Sequence, residues 1–568
     1  MEAEHADAGG ERGARPALST GRRFGGLLLA WALLFAALPG VVTPDGPWGL
    51  AVLGIGVFGA VALRPAPAGR ARRAFLAAWL ANAIGTGATM AWIWYVVPFG
   101  LLYIGFGMGF YVTLGAVAAR RIARRFAPGV ALAVAWAGFE VARTVLPPPF
   151  GLGWFLVGFH AHATPWLVGG ARVFGVEGLG FVLAALGGVV AELLLDRRVR
   201  RSTALLSAGS LAARVLAGTL VPAPETIPGP RVLLVQPSVP QEVKQSTDFV
   251  AAERRAASQT LDALADQPRD EPVDLVCWGE SMLAEWLVEP GVEAALAAGA
   301  EVPEWWGDGF EGRVAYWRAS EERFFRRGLL RRFPDGVSFL TGAVVLDSAG
   351  DRLVRRNGVV LFDPAGERGE SASKRFLVPG AETALGFERF AWARKLAWRA
   401  MGYVPDFSRG ERTGVLHLAT RDGRGFEVAA LVCFDNAFPE AFREPLAAGR
   451  VDFHVVASNE AWYHDSFEMD QMLAFSRVVA ASTGRSVVRA TNSGVSCVIG
   501  PDGREIARLR VQGADRSVRG SLAALVPVPV DPLAHPPYVD LRDALRGGLL
   551  LLVALLLGLS RSVGRSLR

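Results

Sequence analysis

Glu280, Lys374 and Cys433 follow one another in a polar stretch of the chain, each inside its own short motif. The motifs are Trp278-Gly279-Glu280-Ser281, Lys374-Arg375-Phe376-Leu377-Val378-Pro379 and Leu431-Val432-Cys433-Phe434-Asp435. A carboxylate, an ammonium and a thiol are the groups that covalent acyl chemistry requires, as base, oxyanion stabiliser and nucleophile. Glu280 ends an apolar run, where a buried acid without a task is costly. Cys433 ends another and abuts Asp435 and Asn436. Cys277 and Cys497 read instead as inert core thiols. The three cysteines form no CxxC pair and no zinc spacing, and an odd count argues against a disulfide framework. Of 60 basic residues only Lys244, Lys374 and Lys395 are lysines, so a lysine kept in a strand-like motif stands out.

Competing motifs are weaker. Ser371-Ala-Ser-Lys374 has the SxxK spacing of penicillin-binding enzymes, but KTG and SDN are missing. GxSxG and HExxH do not occur, and His454 and His464 read as structural.

The reactive residues need a scaffold, and the sequence supplies one after Pro230. Apolar runs at 231–236, 273–278, 336–341, 427–432 and 452–457 read as buried strands, alternating with amphipathic helical stretches at 249–264 and 470–483. This is an α/β layered pattern with the candidate residues at strand ends, where such sheets place their sites. The stretch 283–332, rich in Trp and Arg, reads as a capping insertion, with a bilayer-resting arm as the alternative; 387–401 has a similar composition and the character of a lid.

The remainder is apolar. At 568 residues and 51% hydrophobic, the chain exceeds one domain and is too apolar for an ordinary soluble enzyme. Apolar runs lie at about 24–38, 48–63, 74–97, 101–119, 130–146, 173–195, 203–221 and 547–559, giving about eight spans. The net charge of +6 forms no single patch, which argues against nucleic acid. Arginines instead occupy every second loop: Arg22/Arg23, Arg64/Arg70/Arg72/Arg73, Arg120/Arg121/Arg124/Arg125, Arg197/Arg198/Arg200/Arg201 and Arg561/Arg565/Arg568. Positive-inside logic puts both termini in the cytoplasm and the 230–540 domain outside. The expected organisation is a disordered cytoplasmic arm at 1–23, transmembrane helices at 24–222, the catalytic domain at 230–540, a final span at 546–560 and a tail at 561–568. Gly54-Ile-Gly-Val-Phe-Gly59 matches a dinucleotide fingerprint without its βαβ setting and reads as helix packing. Glu140 and Arg143 share a helix face and read as an intramembrane ion pair, with a lipid entry route as the alternative.

The three short motifs resemble the nitrilase, or carbon–nitrogen hydrolase, superfamily. Further segments are similar to its apolipoprotein N-acyltransferase branch: Gln236 to Gln241, Phe407-Ser-Arg-Gly410, Ala457-Ser-Asn-Glu-Ala-Trp462-Tyr, Gln471, Arg477, Gly484-Arg485 and Arg489-Ala-Thr-Asn492-Ser-Gly-Val-Ser, with Trp136, Glu140, Arg143 and Gly153-Trp154 among the spans. The likeness runs from about 24 to 560. It implies a multi-pass α-helical membrane domain plus an extramembrane αββα sandwich. It also implies Glu280 as base, Lys374 as oxyanion cation and Cys433 as nucleophile, with Glu382, Phe434, Asp435, Gln245 and Asn459 binding substrate or supporting the site. The implied reaction carries an acyl chain from a phospholipid, through a Cys thioester, to the α-amino group of the diacylglyceryl-cysteine of apolipoproteins. A membrane-anchored amidase acting on small amides is the alternative. No cofactor and no metal are expected, and the expected setting is a monomer in the bacterial inner membrane with its catalytic domain in the periplasm. Four positions depart from the branch: Phe434-Asp435 replaces Tyr-Glu, Gly279 replaces Pro, and Gln245 stands where Trp is common.

Overall fold

The computed structural model describes residues 15–146, 150–411 and 414–561. Among the described residues seven long helices precede the sheets: α1 (Thr20–Ala36), α2 (Trp48–Ala62), α3 (Ala71–Thr89), α4 (Pro98–Ile122), α5 (Pro128–Val145), α6 (Ala171–Asp196) and α7 (Arg201–Leu220). Each matches an apolar run of the sequence. Among the described helices α4, α6, α7 and the final helix, Tyr538–Arg561, are long and apolar enough to cross a membrane. The fingerprint-like glycines of α2 are packing residues. A Cβ at Gly56 or Gly59 would lie 2.3 Å from Val190 or Leu132 of the neighbouring helices, so only glycine lets these backbones approach.

The arginine loops gather at one end of the bundle. Arg23 donates to the Val61 carbonyl at 3.1 Å, Arg120 to Ala62 at 2.9 Å and Arg125 to Leu559 at 3.0 Å. Arg15 pairs with Asp196 at 2.9 Å. This order begins earlier than the sequence suggests: Ser19 caps α1 and Thr20 to Arg23 are helical, so the expected disordered arm does not extend to Arg23. Its residues 1–14, and tail residues 562–568 with Arg565 and Arg568, lie outside the described residues.

The opposite end of the bundle carries the catalytic domain. One sheet holds β1 (Thr226–Gln236), β2 (Leu275–Cys277), β3 (Leu287–Val288), β4 (Ser338–Ala349), β5 (Arg352–Phe362), β6 (Arg368–Ser373) and β13 (Gly520–Pro529). The other holds β7 (Val415–Ala419), β8 (Gly425–Val432), β9 (Phe453–Ser458), β10 (Ser486–Thr491), β11 (Cys497–Ile499) and β12 (Glu505–Arg508). The strand orders are β13-β1-β2-β4-β5-β6 and β12-β11-β10-β9-β8-β7, with β1-β2-β4 and β8-β9-β10 running parallel.

Period-two alternation produces the layers. Val232 and Leu234 of β1 share a core with Val428, Ala430 and Val455 of the second sheet. Leu233 and Val235, pointing the other way, pack with α8 (Phe249–Ala265). On the far side Leu431, Val456 and Val487 pack against α9 (Pro439–Ala448) and α10 (Glu468–Thr483). The result is helix, sheet, sheet, helix. The 283–332 insertion has a small core of its own, in which Phe310 and Trp317 meet Val288 and Leu346. Trp306 donates to Asp406 at 2.7 Å. The capping reading therefore describes it. Helix Ala391–Met401 buries none of its residues and exposes Trp392, Leu396 and Trp398.

The final helix, α11 (Tyr538–Arg561), starts earlier than the apolar run at 547. Its first turns seat the catalytic domain through charge. Arg542 lies 3.2 Å from Glu177 of α6 and 2.7 Å from Glu440 of α9, while Arg546 lies 2.8 Å from Glu440.

Candidate active site

Five loops meet at the carboxyl ends of the strands. Glu280 lies three residues beyond β2, Lys374 directly follows β6, Cys433 directly follows β8, and Asn459 and Asn492 follow β9 and β10. The turn at Cys433 is sharp. Its φ is 45°, a left-handed conformation costing a non-glycine residue roughly 1–3 kcal/mol, of the kind found at functional sites. Ser281, beside Glu280, is left-handed too, with φ 49°. Gly279 has no room for a larger residue, since a Cβ there would lie 2.7 Å from Asn492 N and Ser458 O.

The structure brings Glu280, Lys374 and Cys433 together and buries all three. Lys374 Nζ donates to Glu280 Oε1 at 3.1 Å and to Glu382 Oε1 at 2.8 Å. Asn357 Nδ2 bridges the same two carboxylates at 2.7 and 2.9 Å. The backbone N–H of Asn459 donates to Glu280 Oε2 at 3.1 Å. The Cys433 thiol lies close enough to the Glu280 carboxylate for each to act on the other's proton. Burial pushes the Glu280 carboxyl upward, but Lys374, the thiol, Lys244 and Asn357 outweigh it and hold the acid below its ordinary range. Burial and the adjacent Glu280 charge push the Cys433 thiol well above its usual value, against smaller lowering by Lys374. The resting pair is thus a neutral thiol beside an ionised acid, an arrangement in which attack by the sulfur would carry a proton transfer to the acid.

Of the supporting residues expected from sequence, Glu382 and Asn459 touch the triad directly. Asn459 also donates to Gln241 at 2.8 Å and accepts from Asn492 at 2.9 Å. Phe434 stacks on Trp154 of the membrane domain at 5.4 Å and 14°. Gln245 lines the cleft from an exposed position. Asp435 faces away from the triad and accepts from the backbone N–H groups of Phe376 at 2.7 Å, Arg375 at 3.1 Å and Val432 at 3.2 Å. It thereby ties the Lys374 loop to β8 and the turn that carries Cys433. Sequence reading missed Asn357, a mid-strand residue with no motif around it, and Lys244, whose Nζ donates to the Glu280 carbonyl at 2.8 Å.

The cleft has a volume of about 350 Å³ and includes Val96 of the membrane domain. A second, apolar cavity of about 100 Å³ lies among the helices and reaches Trp154. Arg143 shapes this boundary, donating to the carbonyls of Leu152 at 2.9 Å and Trp154 at 2.7 Å, while Glu140 accepts from Val157 N–H at 2.8 Å. The Glu140–Arg143 pair, 3.7 Å apart, thus holds the loop that carries Trp154. Gln471 of the catalytic domain accepts from the indoles of both Trp154 and Trp92, at 2.8 and 3.3 Å.

The carbon–nitrogen hydrolase family profile matches residues 232–515, half of the chain. The chain belongs to the carbon–nitrogen hydrolase family. The apolipoprotein N-acyltransferase N-terminal domain profile matches residues 30–189, and together with the catalytic-family match and the curated relatives it marks the chain as an acyltransferase. Curated relatives named apolipoprotein N-acyltransferase agree over most of the length. The Ralstonia nicotianae protein is 27% identical over 85% of this chain and 86% of its own. That of Brucella melitensis is 26% identical over 83% and 84%. That of Chlorobaculum tepidum is 25% identical over 66% and 68%.

Asp435 sets an expectation for pH. Burial raises its carboxyl to about 6, against the N–H bonds of Phe376, Val432 and Arg375 and the charge of Lys374. Above that pH the carboxylate accepts from all three amides; below it, one oxygen carries a proton that faces donors. Cysteine acylation should therefore fall with a midpoint near pH 6, while Glu280 is still ionised. In Asp435→Asn the plateau should drop and this limb should vanish. A limb unchanged in the variant would assign it to another group.

Proposed function

We propose that the chain transfers an acyl group from a phospholipid to the α-amino group of the amino-terminal diacylglyceryl-cysteine of apolipoproteins, through a thioester on Cys433. One observation carries the reading: a Glu280–Lys374–Cys433 constellation in a cleft partly walled by the membrane domain, with Trp154 stacked on the residue after the nucleophile. Glu280 takes the thiol proton as sulfur attacks the ester carbonyl. Lys374 and the Phe434 N–H stabilise the negative oxygen. The carbonyl re-forms, and the lysophospholipid leaves as an alcohol carrying the proton back from Glu280. The acceptor amine then attacks the thioester, Glu280 takes its proton, and sulfur leaves and recovers it. Glu382 and Asn357 hold Lys374 and Glu280 in place throughout.

The grouping of arginine loops at the bundle end away from the sheets supports a catalytic domain on the periplasmic face of the bacterial inner membrane. The exposed aromatics of Ala391–Met401 suit a helix resting on that surface. The triad is complete within one chain, which supports a monomer. The second reading, a membrane-anchored amidase, shares the triad, but water as acceptor has no use for the membrane helices.

Purified protein incubated with phospholipid should gain one acyl mass on the Cys433 peptide. A diacylglyceryl-cysteine peptide should discharge it, and blocking that peptide's amine should stop the discharge. Because the amine attacks as a free base, discharge should fall below about pH 8, the ordinary α-amino pKa. Rapid release of free fatty acid, indifferent to the peptide, would favour the amidase.

A further inference from the structure

Among the described residues three cations line the cleft, and two of them have carboxylate partners. Lys374 is held by Glu280 and Glu382, and Arg355 by Asp406. Lys244 is different: among the described residues no carboxylate forms an ion pair with it. Its ammonium donates to the backbone carbonyl of Glu280 at 2.8 Å, lies 3.9 Å from Met282 Sδ and sits 5.6 Å from the centre of the Phe249 ring. An ammonium has three donors, and the carbonyl takes only one in a strong bond. Lys244 nevertheless stays partly open to the cleft. Burial lowers it to about 8, with Glu280 and Cys433 opposing, so this charge is held at a cost that a bound anion would relieve. It stands beside the backbone of the residue whose side chain meets the nucleophile.

We propose that Lys244 binds the phosphodiester of the acyl donor, so that the cleft selects phosphate-bearing glycerolipids over neutral ones. This rests on the phospholipid-donor reading above. The phosphate is the one the donor carries, because Lys244 is fixed next to the base and an anion it holds is tied to the ester under attack. A charge-assisted hydrogen bond of this kind is worth about 10–100-fold in kcat/KM.

The test compares Cys433 acylation from a phospholipid and from a diacylglycerol with the same chains, in the full-length protein. The wild type should favour phospholipid by roughly 30-fold, mostly through KM. Lys244→Met should collapse that ratio toward one, and Lys244→Arg should restore most of it. Inorganic phosphate added with diacylglycerol should give no acceleration. Equal use of both donors by the wild type would overturn the proposal and leave the transfer reaction standing. So would a Lys244→Met effect equal on both donors and not rescued by arginine, which would mean that the lysine only supports Glu280. Acceleration by free phosphate would overturn it as well. No acyl-enzyme from any lipid in the wild type would overturn both this proposal and the function on which it rests.

Discussion

Cys433→Ala is expected to show no acyl adduct and no transfer, whereas Cys277→Ala and Cys497→Ala keep both. The contrast is physical. All three thiols are buried, and burial pushes that of Cys277 up strongly and that of Cys497 to about 12. Among the described cysteines Cys433 alone has the ionised Glu280 beside it to take its proton. Removing a covalent nucleophile leaves only what binding and the oxyanion hole supply. Adduct mass by peptide mass spectrometry and transfer to a fluorescent acceptor peptide check the three variants in parallel. Transfer retained by Cys433→Ala would refute the thioester mechanism.

Loss of the base or the cation should slow thioester formation next most severely. Glu280→Gln keeps the shape but removes the proton acceptor, for an expected loss of about 10²–10⁴-fold. Lys374→Met removes the cation facing the developing oxyanion, for a further 10²–10³-fold class of effect, by about the magnitude of an oxyanion-hole donor. The second variant also strands Glu280 and Glu382, which share that ammonium. Breaking a buried pair costs about 3–5 kcal/mol of stability, so its melting temperature should fall while that of Glu280→Gln changes less. Single-turnover acylation separates chemistry from product release, and activity within tenfold of wild type in either variant would remove that residue from its role.

Much of this site was legible because the triad residues interrupt apolar runs. Glu280 and Cys433 each terminate a strand whose burial demands apolar neighbours, so a polar residue at the end of the run signals a site. Glu382 and Asn459 came through resemblance alone, and both lie against the triad. Asn357 was illegible for a geometric reason. Its role depends on β5 pairing with β4, where it faces Val344, and on β6 delivering Lys374, and neither register is written locally. Lys244 did carry a signal, as one of three lysines in an arginine-rich chain, but it took the fold to place it beside Glu280. The helices followed the apolar runs closely. The departures were α3, which ends at Thr89 short of its apolar run to 97, and α11, where charged residues at 538–546 hid a helix whose arginines are buried against Glu177 and Glu440.

That last helix removes the freedom the two halves of the molecule would otherwise have to behave separately. Arg542 and Arg546 spend their charge on one acid from the membrane bundle and one from the catalytic domain. If either half loosens, a guanidinium or a carboxylate is left dry and alone, a penalty comparable with a large share of a domain's net stability. The sandwich is therefore no detachable module on a greasy stalk. It is expected to melt with the bundle in one calorimetric transition, and two separate transitions would refute that coupling.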